Sequence, residues 1–92
     1  MKDNVYKLIG DITTLATIVS DKTEVDVFIR YSAHVHLLDV SIHPMGWNKG
    51  DERCAYHELY INKKGALDSL NNIKQHLIKI LKRKKVDLTK IH

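Results

Sequence analysis

The sequence predicts an α+β domain in the order α-β-β-β-α: a three-stranded antiparallel sheet with two helices on one face. Three observations predict it. Apolar residues recur every three to four positions at both ends of the chain, the period drops to two in the middle, and turn-forming residues separate these stretches. Two helices over a three-stranded meander satisfy the rule that each amphipathic element must bury its apolar side against another layer.

Val5, Leu8, Ile9, Ile12, Leu15, Ala16 and Val19 fall on one side of a helix over residues 4–19, with Asp3 placed to cap it and Ser20-Asp21-Lys22 ending it. Val25, Val27 and Ile29 then alternate with Asp26, Phe28 and Arg30, which predicts a strand. Tyr31-Ser32-Ala33-His34 reads as a short connection, and residues 35–43 as a second strand with Leu38, Val40 and Ile42 on one face. Residues 43–52 hold the one proline and two of the four glycines, so they read as a loop. Residues 54–61 read as the third strand. Asn62 is placed to cap a final helix whose stripe is Leu67, Leu70, Ile73, Leu77, Ile80 and Leu81, with Lys74 inside that stripe and obliged to snorkel. His76 lies at the stripe's margin. Residues 86–92 read as a frayed tail of one domain spanning 1–92.

At 92 residues, 43% hydrophobic and 28% charged, the chain is the size and composition of one globular unit rather than a low-complexity or disordered one. No apolar run reaches bilayer length, so no membrane association is expected. One cysteine, Cys54, cannot make an internal disulfide, which predicts a reducing, cytoplasmic setting. Charge is uneven. Residues 74–92 carry seven lysines or arginines against the single acid Asp87, so with +4 overall the first 73 residues sum to −2. Lys82, Arg83, Lys84 and Lys85 at a helix C-terminus complement its dipole, which is their plainest explanation.

Alternation predicts that Val27, Leu38, Val40, Leu59 and Ile61 face the helices and that Phe28, Val35, Leu37, Tyr56 and Tyr60 share the opposite face. An apolar and aromatic stripe across three strands suggests burial against a second copy or a protein partner, so a homo-oligomer is expected. Trp47 and Met45 in the central loop are candidate anchors for such a partner, because an indole buries much area at small rotamer cost.

Chemistry is harder to find. His34 and His36, two apart at a strand start, would share a face, and His57 on the third strand, or else Cys54 or Glu58, would be a third metal ligand. No phosphate-binding glycine loop, nucleophile elbow, zinc-protease helix motif or CxxC pair occurs. No enzymatic activity and no cofactor are expected.

The αβββα order is also that of restriction-type nuclease cores, but Glu58-Leu59-Tyr60 has tyrosine where that family needs lysine. Asn62-Lys63-Lys64-Gly65-Ala66-Leu67 resembles the Lys-Lys-x-Ala start of the second helix in double-stranded RNA-binding domains, which implies phosphate contacts by Lys63 and Lys64. Leu67 replaces the family's last lysine, and residues 31–34 lack its Gly-Pro-x-His loop. Residues 25–81, with the run Val27-Phe28-Ile29-Arg30-Tyr31-Ser32-Ala33-His34-Val35 and then His43-Pro44-Met45-Gly46-Trp47, resemble small phage and prophage accessory proteins of Gram-positive bacteria. That resemblance implies a protein-binding module in the host cytoplasm, an inhibitor of a host defence protein. Acids outnumber bases seven to four over residues 21–58, which suits an electropositive partner. The alternative is nucleic-acid binding by Lys63, Lys64, Lys82, Arg83, Lys84 and Lys85; a histidine metal site comes third.

Overall fold

The computed structural model describes residues 3–44 and 55–86. They form helix α1 (Asp3–Lys22), strand β1 (Asp26–Ser32), a 3-10 turn at Ala33–Val35, strand β2 (Leu37–His43), strand β3 (Ala55–Tyr60) and helix α2 (Ala66–Arg83). The sheet is antiparallel in the order β1-β2-β3. The α-β-β-β-α expectation holds. Met45 and Trp47, the expected loop anchors, lie outside the described residues, as does Cys54.

The core lies between the helices and one face of the sheet. α1 contacts β1, α2 contacts β3, and the two helices pack on each other. Val5, Ile12, Leu15, Ala16 and Val19 of α1 meet Leu70, Ile73, Leu77, Ile80 and Leu81 of α2 over Leu38, Val40 and Ile42 of β2. Full burial of such side chains contributes about 1.5–3 kcal/mol each. Val27, Ile29, Ala55 and Leu59 complete that face from the outer strands.

Local differences from the sequence reading have identifiable causes. α1 runs through Lys22, because Thr23 closes it instead: its amide and its hydroxyl both donate to the Val19 carbonyl, at 3.0 and 2.7 Å. β1 extends to Ser32, and the chain reverses through the 3-10 turn. His36 then takes the left-handed conformation (φ 55°), donating its amide to the Ala33 carbonyl. β2 therefore starts at Leu37, and Val35 belongs to the turn rather than to the sheet. Asn62 does not cap α2. The cap is Gly65 at φ 89°, reached through successive turns in which Lys63 N–H donates to Tyr60 O and Ala66 N–H to Lys63 O.

α2 ends in a Schellman arrangement. Val86 N–H donates to Leu81 O at 2.9 Å and Lys85 N–H to Lys82 O at 3.1 Å, with Lys85 left-handed at φ 58°. Val86 rests half-buried against the core, so it is docked rather than frayed.

Candidate partner-binding face

The register fixes what the side of the sheet facing away from the helices presents. Three cross-strand rows run over it: Phe28–Ser41–Tyr56, Arg30–Asp39–Glu58 and Ser32–Leu37–Tyr60, with Asp26–His43 beyond the first. Directly opposed residues share a face and stand about 4.5–5.5 Å apart at Cβ. Four of the five residues expected on this face are there: Phe28, Leu37, Tyr56 and Tyr60. Val35 is exposed in the adjoining turn, outside the sheet, because the left-handed His36 breaks the alternation before β2 begins.

The face is aromatic yet open to solvent. Phe28 is 39% exposed, Tyr56 55% and Tyr60 47%. Ser41, between Phe28 and Tyr56, is only 3% exposed. A small residue flanked by two rings makes a shallow floor, and its hydroxyl is held by His43 Nε2 at 3.2 Å. The Phe28 and His43 rings meet edge to face at 5.3 Å.

Polar groups on the face are partly paired within it. Arg30 Nη1 donates to Asp39 Oδ1 at 2.9 Å, and its guanidinium lies 6.0 Å from the Phe28 ring centre. Tyr56 O–H donates to Glu58 Oε2 at 3.1 Å. Partial desolvation, and then that bond, raise the phenol's pKa, so Tyr56 remains a neutral donor at physiological pH. Among the described residues on this side, three carboxylates (Asp26, Asp39, Glu58) and one guanidinium, Arg30, stand between the exposed rings.

The other candidate residues are dispersed. Lys63 and Lys64 are exposed in the turns before α2, beside an open groove of about 700 Å³ between that helix start and Val5. Lys82, Arg83, Lys84 and Lys85 sit at the opposite end of the helix, about 25 Å away by helical rise. Lys84 is not simply solvated: it forms an ion pair with Glu24, and that pairing holds the Glu24 carboxyl below its ordinary pKa. His34 lies in the 3-10 turn, His36 pairs with the Tyr31 hydroxyl at 3.3 Å, and His57 faces the helices. The three histidines are not gathered, and among the described residues no group of three or more His, Cys, Asp or Glu is placed to hold a metal ion. The alternation argument for His34 and His36 fails because neither lies in a strand.

Comparison with protein-family models, curated proteins and solved structures gives no match. Among the described residues no helix is long and apolar enough to cross a membrane.

One arrangement was missed by sequence reasoning. His57 Nε2 lies 3.2 Å from His76 Nδ1, joining β3 to α2, with ring centres 5.5 Å apart at 78°. The available signals were that His57 shares a period-two face with Leu59 and that His76 directly precedes the core residue Leu77. Burial first, then the neighbouring His57, Arg83 and Lys79, lower the pKa of His76.

Proposed function

We propose that this chain is a non-enzymatic protein-binding module whose uncovered sheet face receives an electropositive protein surface. The observation that carries the reading is that the exposed rings Phe28, Tyr56 and Tyr60 share one sheet face with Asp26, Asp39 and Glu58. An arginine arriving from a partner can stack on a tyrosine ring and pair with Glu58 at once, and desolvation on docking strengthens both contacts.

Three strands of six or seven residues span about 20 by 15 Å, roughly 300 Å² in projection, whereas a standard interface buries about 800 Å² per partner. A partner must therefore also reach past the sheet rim, where Val35 stands exposed. A second copy on the same face would bring like-charged rows together, so the acid excess favours a different protein over a homodimer. The resemblance to phage accessory proteins supports a host defence protein as the target, inhibited in the cytoplasm.

The test is capture from a bacterial lysate followed by mass spectrometry, with wild type and variants side by side. Leu37→Asp and Tyr56→Ala should each lose the captured protein. Replacing Lys82, Arg83, Lys84 and Lys85 by glutamine should keep it. Equal capture by Leu37→Asp would overturn the reading, and so would salt-sensitive binding to a random duplex that disappears in the glutamine variant.

A further inference from the structure

We propose that His57 and His76 form a two-histidine site for a borderline divalent transition metal of the zinc, nickel or copper class. The carrying observation is the approach of His57 Nε2 to His76 Nδ1 at 3.2 Å from two different elements. Two nitrogens bound to one tetrahedral zinc at about 2.0–2.1 Å are about 3.3–3.4 Å apart, and a square-planar ion places adjacent nitrogens at about 2.9 Å. The observed separation lies between these values; the two rings now share a hydrogen bond along the N–N line, which an ion would replace once each ring turns its nitrogen toward a common point beside that line.

With an ion bound, each imidazole keeps its remaining proton on the far nitrogen, Nδ1 of His57 and Nε2 of His76. Two protein ligands leave the other positions to water. The ion would cross-link β3, an outer strand of the sheet, to α2.

The surrounding charge gives the site a signature. Lys79 and Arg83 act electrostatically on His76, so an incoming cation meets like charge. Added salt screens that repulsion and should strengthen binding. A metal site built from surface carboxylates would weaken with salt instead.

The experiment titrates the full chain, stripped with chelator, with zinc ion alone by calorimetry at low and high salt. The expected result is one equivalent bound, with affinity unchanged or higher at high salt. His57→Gln and His76→Gln should each weaken it by more than about tenfold, and a His34→Gln/His36→Gln double variant should match wild type. Histidine nitrogen NMR of the wild type serves as a readout independent of folding in the variants. Metal-induced shifts at His57 Nε2 and His76 Nδ1 support the site, and shifts confined to other histidines overturn it. No binding up to millimolar zinc, or full affinity in a folded His76→Gln chain, would also overturn it.

Discussion

Lys74 of α2 donates to the Asp11 carboxylate of α1 at 3.1 Å, and Lys7 reaches the same oxygen from one turn earlier at 3.1 Å. Lys74 falls within the apolar stripe of its helix, where its stem lies along the helix–helix seam. Its ammonium ends at a carboxylate on the neighbouring helix. The two side chains are 28% and 29% exposed, so solvent screens the pair but does not abolish it.

That contact predicts an acid-limb effect. The bonds from Lys74 and then Lys7 hold the Asp11 carboxyl below its ordinary pKa. A carboxylate whose pKa is depressed on folding contributes stability above its unfolded value, near 4, and loses it as pH falls through the folded value. Asp11→Asn should therefore melt below wild type at neutral pH, with the two curves converging by about pH 2. Thermal melts across that range check it, and a constant gap at every pH would show the pair to be irrelevant.

Gly10 lies inside α1 with nothing within 4 Å of where a Cβ would stand. Gly10→Ala should stabilise the fold by about 0.5–1 kcal/mol through helix propensity alone. The bond from Thr14 Oγ1 to the Gly10 carbonyl is to backbone and survives. Gly65 also faces open space, but at φ 89°, so Gly65→Ala should lose about 1 kcal/mol or more. Urea unfolding of the two variants should give shifts of opposite sign.

Lys85 holds the left-handed position that closes α2, a position glycine fills at no steric penalty. Lys85→Gly should raise stability by up to about 1 kcal/mol, despite removing a positive charge from the helix end. A drop in the urea midpoint would mean that the charge outweighs the backbone strain.

Leu77 is fully buried between the helices and the sheet, whereas Leu37 lies half-buried on the uncovered face. Leu77→Ala should destabilise by about 2–5 kcal/mol, the transfer and cavity penalty of a core leucine. Tyr56→Ala on the open face should stay within about 1 kcal/mol of wild type, so that loss of partner capture in that variant reports on binding rather than on folding. Chemical denaturation separates the two.

Which elements form, and in what order, was legible in the residues because burial imposes its own period. The spacing from Val5 to Val19 and from Leu70 to Leu81 can bury only as helices, and the alternation at Val27 and at Leu38–Val40–Ile42 only as strands. The same alternation correctly predicted that Phe28, Leu37, Tyr56 and Tyr60 would share the side facing away from the helices. It misplaced Val35, because a left-handed residue at His36 resets the alternation and nothing in a histidine announces that backbone angle. The end of α1 was also read short, since the Thr23 hydroxyl and amide supply carbonyl partners that periodicity does not register.

The pairings across elements were decided by tertiary structure alone. Lys74 meets Asp11 and Lys84 meets Glu24 across at least sixty residues of chain, and His57 meets His76 across nineteen. Periodicity gives each residue's phase on its own element but not the rotation and offset of one element on another. Those are set by how Leu70, Ile73 and Leu77 seat among Ile12, Val19 and Val40. The pairing of β2 with both neighbours then sets three carboxylates beside one guanidinium among exposed rings. Periodicity sufficed for an α-β-β-β-α fold with one sheet face turned to the helices and one turned away, whereas the packed core set which polar groups came within reach of each other.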